Sequence, residues 1–364
     1  MNTDPTPSSG EGTPVDPPRP KRRPRYSGKN PRKFAEKYKE LAPNRYGTDV
    51  AHVIASGKTP AGMHRPILVR EILEALAPQP GMTLVDCTLG YGGHTRELLS
   101  AVSPGGRVYG LDVDPIEQPR TVERLRAAGF GEESFIPVRR NFAGLPQVIA
   151  EAGLEGVDGV LADLGVSSMQ LDDPARGFTF KEDGPLDLRL NPSKSPSAAE
   201  WLARVTLAEL ETALTENSDE PHAALIASAV VSARGIEPIA RTGRLAGVIR
   251  EALRGAGKGG DREAENTCIR RVFQALRIAV NDEFGVLDAL LRGLPFCLKP
   301  GGRVAILTFH SGEDRRVKKS FQEGFRNGLY SQIADEVVRP GAEELRSNPR
   351  SAPAKLRWAV RAEA

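Results

Sequence analysis

Between Thr83 and Leu164 the chain alternates short apolar runs with longer helical patterns, and this alternation limits the possible folds more than any other feature. Thr83–Cys87, Arg107–Asp112, Ser134–Val138 and Val157–Leu164 read as strands. Gly93–Val102, Pro115–Ala128 and Leu145–Ala152 read as the helices between them. Parallel strands need a crossover of about this length, so the spacing predicts an α/β fold with a parallel sheet and helices on both faces. One more helix is expected ahead of the sheet, where Pro66 opens a stretch with Val69, Ile72, Leu73 and Leu76 at helical spacing.

After Leu171 the alternation stops. No strand signal occurs through Asn266, but helical patterns do, at Ala198–Ala203, Leu207–Thr215, His222–Ala233 and Leu245–Leu253, followed by the glycine-rich stretch Gly255–Gly260. The sheet pattern resumes after a long helix, Ile269–Leu294, with a strand at Val304–Phe309 behind Pro300-Gly301-Gly302 and a last one at Lys355–Val360. The organisation expected is therefore a helical subdomain, 171–266, inserted into an α/β domain formed by 63–170 and 267–364.

Residues 1–62 are a separate matter. The first twenty are rich in Pro, Ser, Gly and Thr, too poor in apolar surface to fold, and disorder is expected there. Between Arg19 and Arg45 stand eleven Lys or Arg against two acids, Glu36 and Glu40, with Tyr26, Phe34, Tyr38 and Tyr46 interleaved. Such a run suits phosphate contact with base stacking, or equally a solvated tail. No apolar run approaches the ~20 residues of a membrane helix, and the N-terminus lacks the apolar core of a secretory signal, so a cytoplasmic protein is expected. Cys87, Cys268 and Cys297 stand far apart without CxxC or Cys/His clustering, which argues against a disulfide framework or a zinc site.

Chemistry concentrates at the predicted strand ends. Asp86-Cys87-Thr88-Leu89-Gly90-Tyr91-Gly92-Gly93-His94 places an acid and a glycine turn between a strand and a helix. The turn lacks the GxGxxG of a dinucleotide enzyme and the GK[ST] of a P-loop, which weakens the dehydrogenase and nucleotide-hydrolase readings. Asp112, at the tip of the second strand, is placed to accept both ribose hydroxyls of a bound nucleoside, while Asp114 suits a cap for the helix opened by Pro115. Phe142, after the third strand, lies where a nucleoside base would sit, and core packing explains it equally well. Asp163 leaves the fourth strand at the edge where open α/β sheets bind ligands. Together these residues favour S-adenosylmethionine over a dinucleotide.

The chain resembles the MraW/RsmH family of 16S rRNA cytosine-N4 methyltransferases over about residues 63–360. The resemblance rests on ordered blocks: His64–Leu68, Asp86–His94, Leu111–Pro115, Asp163–Phe178, Asp183–Arg189, Ser197–Leu202, Phe273–Ile278, Val280–Glu283, Phe309–Ser311 and Glu313–Arg315. It implies a class I, Rossmann-like methyltransferase domain with an inserted helical subdomain. It implies S-adenosyl-L-methionine contacts at Gly92, Gly93, His94, Asp112, Phe142, Asp163 and Gln170, and a decoding-region cytidine of the small ribosomal subunit as substrate. The chain departs from the family pattern at Asn217-Ser218-Asp219-Glu220, at Arg270-Arg271-Val272, at Gly312, and in its long basic N-terminal arm.

For such a reaction Asp163 is the expected catalytic residue, accepting hydrogen bonds from the incoming amino group or from the cofactor's methionine end. His94 and His310 are candidate participants, and Asp183, Asp187 and Arg189 suggest RNA contact or hinging. No metal is expected. A ribosome-assembly factor that keeps the fold without catalysis is the competing reading, which intact cofactor residues disfavour. The sequence leaves monomer and homodimer open.

Overall fold

A computed structural model describes residues 66–363, together with Met1. The expected arm, residues 2–62, and the His64-Arg65 start of the first family block lie outside the described residues.

The first half follows the expected alternation: α1 (Val69–Leu76), β1 (Thr83–Asp86), α2 (Gly93–Val102), β2 (Arg107–Asp112), α3 (Glu117–Ala127), β3 (Phe135–Arg139), α4 (Leu145–Glu151), β4 (Val157–Asp163) and the short α5 (Ser168–Asp172). Next come α6 (Ala198–Arg204), α7 (Leu207–Ser218), α8 (Ala223–Ile236), α9 (Thr242–Gly255) and α10 (Arg262–Asn281). The chain closes with α11 (Glu283–Cys297), β5 (Leu298–Thr308), α12 (Ser311–Arg326), β6 (Tyr330–Ile333), α13 (Ala342–Ser347) and β7 (Lys355–Arg361).

The seven strands form one sheet in the order β3-β2-β1-β4-β5-β7-β6. β1 to β5 pair in parallel, and β7 runs antiparallel to both β5 and β6. Strand order reverses between β1 and β4, which opens a crevice at their carboxyl ends. Successive residues of each strand face opposite sides, and each side has its own core. Leu84, Leu161 and Leu307 pack with α1, α2 and α3 through Leu76, Leu98, Leu99 and Leu125. Val85, Val160 and Ile306 pack with α4, α11 and α12 through Val148, Leu291 and Phe321. Because β4 is covered on both faces, its apolar run is nearly continuous rather than alternating.

The helices between Ala198 and Asn281 share a third core, built from Leu202, Leu210, Leu214, Ile226, Val230, Leu245, Ile249, Ile269, Phe273 and Leu276. That core reaches Val280, so by packing the helical subdomain extends through α10 and past the expected boundary at 266. The predicted single helix Ile269–Leu294 is in fact two. Asp282 breaks it in a left-handed conformation (φ 49°), capping α10 and starting α11. The strand expected at Val304–Phe309 begins earlier, at Leu298, so Pro300-Gly301-Gly302 is absorbed into β5 as an irregularity, where the register with β4 shifts. β6, α12 and α13 carried no recognised signal; β6 has only four residues and sits at the sheet edge.

Candidate active site

The glycine turn after β1 is shaped by protein contacts. Asp86, buried at the end of β1, accepts the Thr88 N–H (3.0 Å) and hydroxyl (3.3 Å) on one oxygen and the Thr95 hydroxyl (2.6 Å) on the other. It thereby pins both ends of the turn; burial raises its pKa above the ordinary carboxylate value, against the Thr95 hydrogen bond. Gly92 has φ +82°, and a Cβ there would lie 2.8 Å from Thr121 of α3. The absence of a side chain lets α3 close against the turn.

Asp112 stands beside this turn at the tip of β2. One carboxylate oxygen accepts the Gly90 N–H and the other the Asp114 N–H, both at 2.9 Å. Burial lifts its pKa to about 6, with the Asp114 charge adding to the rise and the backbone N–H groups opposing it. Each oxygen retains a lone pair beyond its backbone bond.

Asp114 is fully buried and does more than cap. One oxygen accepts the N–H groups of Ile116 (2.8 Å) and Glu117 (3.2 Å), the capping role expected. The other accepts Gln170 Nε2 (2.7 Å) and the Arg176 guanidinium (2.8 Å). Burial opposes its charge, but Arg176 and Gln170 outweigh that and hold its pKa below the ordinary value. Arg176 also donates to the carbonyls of Arg189 and Leu190, each at 3.1 Å, so the loop entering the helical subdomain is tied to the end of β2. Gln170 spends its remaining oxygen on the Ser167 N–H (2.9 Å), completing a capping box on α5. Both ends of the Gln170 amide therefore engage protein.

Asp163 ends β4 with about a quarter of its side chain exposed. Its N–H donates to the Thr88 hydroxyl at 2.6 Å, joining the tips of β1 and β4. Its carboxylate faces His94 Nδ1 at 3.4 Å, and His94 Nε2 lies 2.9 Å from the Ile67 carbonyl. A carbonyl only accepts, so Nε2 carries a proton in every state, and Nδ1 is the atom that titrates toward Asp163. Burial alone would push the imidazole down, but the hydrogen bond and charge of Asp163, with the charge of Asp86 behind it, lift its pKa to about 8.

This pair has a measurable consequence. An unfolded histidine titrates near ~6.5, so the stability gained from the raised folded pKa is fully present below that pH and lost as pH rises through about 8. The amount is on the order of 2 kcal/mol. The chain has five histidines, so proton NMR resolves the titration directly. In Asp163→Asn burial is left unopposed by the nearest charge, and the His94 titration is expected to fall below its ordinary value. A His94 pKa that ignores this substitution rules out the pair.

Phe142 follows β3, one strand beyond Asp112, half-buried against the core that also holds Leu145 and Val148. The structure thus gathers Gly90–His94, Asp112 and Asp163 by direct contacts, attaches Gln170 through Asp114, and leaves Phe142 at the adjacent strand end. Sequence reasoning gave no role to Thr88, Thr121 or Arg176. Thr88 stands inside a family block but has no distinguishing spacing, whereas the partners of Arg176 are 62 and 13 positions away.

Residues outside this edge have internal roles. Asp183 accepts Arg241 Nε (2.5 Å) and the Gly243 N–H (2.9 Å), capping α9, and Arg189 braces its own loop through Asp187 (2.7 Å) and the carbonyls of Pro192 and Ser195. His310 Nε2 lies 3.1 Å from Glu313, and Glu283 accepts from Arg277 Nε and Nη2 (2.8 and 2.9 Å). Ligand atoms of Glu283, His310 and Glu313 fall within 4.8 Å of one another, and the Arg277 cation already compensates much of their charge. Two departures from the family pattern, Asp219 and Gly312, meet at the start of α12. Asp219 accepts the Ser311 hydroxyl (2.9 Å), and a Cβ on Gly312 would lie 2.6 Å from the Phe284 ring. The three cysteines are buried free thiols, and among the described residues no helix is long and apolar enough to cross a membrane.

Residues 61–362 match the family model described as MraW methylase. A Ribosomal RNA small subunit methyltransferase H 1 of Lachnoclostridium phytofermentans is 52% identical over 356 residues, covering 97% of this chain and 96% of its own. Ribosomal RNA small subunit methyltransferase H 2 of Alkaliphilus metalliredigens is 51% identical over 343 residues, covering 94% of this chain and 97% of its own. Ribosomal RNA small subunit methyltransferase H of Heliobacterium modesticaldum is 40% identical and covers 81% of this chain and 97% of its own.

Proposed function

This chain belongs to the MraW methylase family, and from that premise we propose that it transfers a methyl group from S-adenosylmethionine to the N4 amino group of a decoding-region cytidine in small-subunit 16S rRNA. The observation that carries the reading is the clustering of Gly90–His94, Asp112 and Asp163 at the carboxyl ends of β1, β2 and β4, around the point where strand order reverses.

The donor set fits the cofactor. Asp112 offers two oriented acceptors for a pair of ribose hydroxyls, the turn at Gly92-Gly93 opens α2 beside it, and Phe142 supplies an apolar face on the adenine side. When bound, S-adenosylmethionine supplies a methyl group already activated by a sulfonium leaving group. The amino nitrogen of cytosine is a weak nucleophile, because its lone pair is delocalised into the ring. The chain's task is then alignment: holding the acceptor in line at about 3–3.5 Å with water excluded. Asp163 accepts hydrogen bonds from the amino group or the methionine end, and the proton leaves nitrogen after transfer, so no strong base is needed beforehand. The target base must be unstacked to reach the crevice, which looped RNA permits.

Mass spectrometry of 16S rRNA nucleosides from cells with and without the protein tests the reaction. Loss of N4-methylated cytidine without the protein is expected, and an unchanged nucleoside profile refutes the reading. For the cofactor, Asp112→Ala removes two charge-assisted hydrogen bonds and lowers affinity roughly a hundredfold or more. With the Asp112 pKa near 6, wild-type affinity should also decline as pH falls through that value, because protonation converts an acceptor into a donor. Calorimetry showing unchanged affinity in a folded Asp112→Ala protein removes Asp112 from the site.

A further inference from the structure

Helix α12 leaves β5 at the sheet edge that carries Asp163, and its charges are sorted by face. Glu313 is buried, and Asp314 is engaged by Lys355 (3.0 Å) and Arg357 (2.7 Å). Arg315, Lys318, Lys319, Gln322 and Arg326 are all exposed. Their spacing of 3, 4, 7 and 11 positions from Arg315 confines them to an arc of roughly 100° on the helix, about 16 Å long. Val317, Phe321 and Gly324 occupy the opposite, buried side. Glu323, at the margin of the arc, is the one exposed acid of this helix.

The described fold makes little use of the four cations in this row. Lys318, Lys319 and Arg326 have no ion pair among the described residues. Arg315 has a loose contact with Asp219 at 3.6 Å, both side chains being more than half exposed, and a pair so open is worth little. Arg315 with Lys318 and Lys319 sets like charges at i,i+3 and i,i+4, which mildly disfavours the helix. A row of free cations that works against its own helix is instead suited to an external row of anions.

We propose that the exposed face of α12 is a phosphate-binding track for rRNA flanking the target nucleotide. The inference rests on the reading of this chain as an rRNA methyltransferase. Its near end lies at the active-site edge, because α12 follows β5, whose Leu307 pairs with Asp163, and Ser311 at its start binds Asp219 of the helical subdomain. The far end, at Arg326, is about three helical turns away, beyond reach of the reacting base. Contacts there secure the RNA backbone and its register without reading sequence.

The test is the full-length triple variant Lys318→Ala, Lys319→Ala, Arg326→Ala, compared with wild type for binding a decoding-region RNA fragment over a range of salt. Each lost phosphate contact lowers the slope of log K against log salt by about 0.7–0.9. A slope shallower by about 2 to 3 and at least roughly tenfold weaker binding near ~0.1 M salt are expected. KM for RNA should rise, with kcat at saturating RNA, S-adenosylmethionine affinity and Tm unchanged. An unchanged slope overturns the proposal. So does a variant that keeps its RNA slope while losing affinity for phosphatidylglycerol vesicles, which would assign the face to a membrane surface. Failure of the underlying reading looks different: the wild type itself would neither bind nor methylate the RNA.

Discussion

Asp163→Asn is expected to lower the single-turnover rate of methyl transfer by on the order of a hundredfold while leaving RNA affinity nearly unchanged. Asp163 ends β4 at the ligand edge, its N–H held by Thr88 and its carboxylate paired with His94. The backbone bond survives the substitution, so the turn stays in place. What changes is the side chain: an amide has one acceptor oxygen instead of two, presents donors on its other side, and carries no charge to pair with the imidazolium. A reacting nitrogen displaced by ~1 Å loses most of the advantage of alignment. RNA affinity depends chiefly on dispersed cationic contacts that this change does not touch. Single-turnover methylation at saturating cofactor and RNA, run beside a melting curve, is decisive. A normal rate sinks the catalytic role even if the protein is less stable.

The second large effect is on stability. Arg176→Met should cost roughly 3–5 kcal/mol, because it leaves the Asp114 carboxylate charged and buried without its cation. Arg176 and Asp114 are 9% and 0% exposed, respectively. The same change frees the carbonyls of Arg189 and Leu190. Since the folded pKa of Asp114 is depressed, its pairing contributes stability above the unfolded value near ~4 and loses it as pH falls through the lower folded value. In Arg176→Met burial dominates, the folded pKa rises, and the variant should lose stability on going from acidic to neutral pH. The double variant Asp114→Asn, Arg176→Met, with no buried charge, should recover part of the loss. Urea melts of wild type and these two variants from about pH 4 to 7 measure this, and a single variant within about 1 kcal/mol of wild type at neutral pH shows that the pair is dispensable.

Much of this protein was legible in its sequence because the relevant signals are local. Apolar runs separated by helical crossovers determined the parallel sheet, with boundaries close to those expected at β1 to β4. Asp112 and Asp163 stand on one edge, where strand polarity alone puts acids that close parallel strands. The break in alternation after Leu171 marked the helical segment, and Asp114 was readable as a cap because capping acts within about three positions.

Tertiary structure decided what depends on distant partners. The helix expected from Ile269 to Leu294 breaks at Asp282, which adopts a left-handed conformation that periodicity does not encode. α10 belongs to the helical core because Ile269, Phe273 and Leu276 meet α7 and α9 there, a choice of packing partner invisible to a window of sequence. β6 is too short and too much at the edge to carry a pattern of its own. Most telling are His94 and Gln170, which lie in motifs that are easily read while their side-chain partners are not. His94 is held between Ile67 and Asp163, and Gln170 is held by Asp114 and Ser167. Hydrogen bonds are directional and short. Partners 75 and 62 positions apart, such as Thr88 with Asp163 at 2.6 Å and Asp114 with Arg176 at 2.8 Å, are therefore settled only when folding brings the strand ends together.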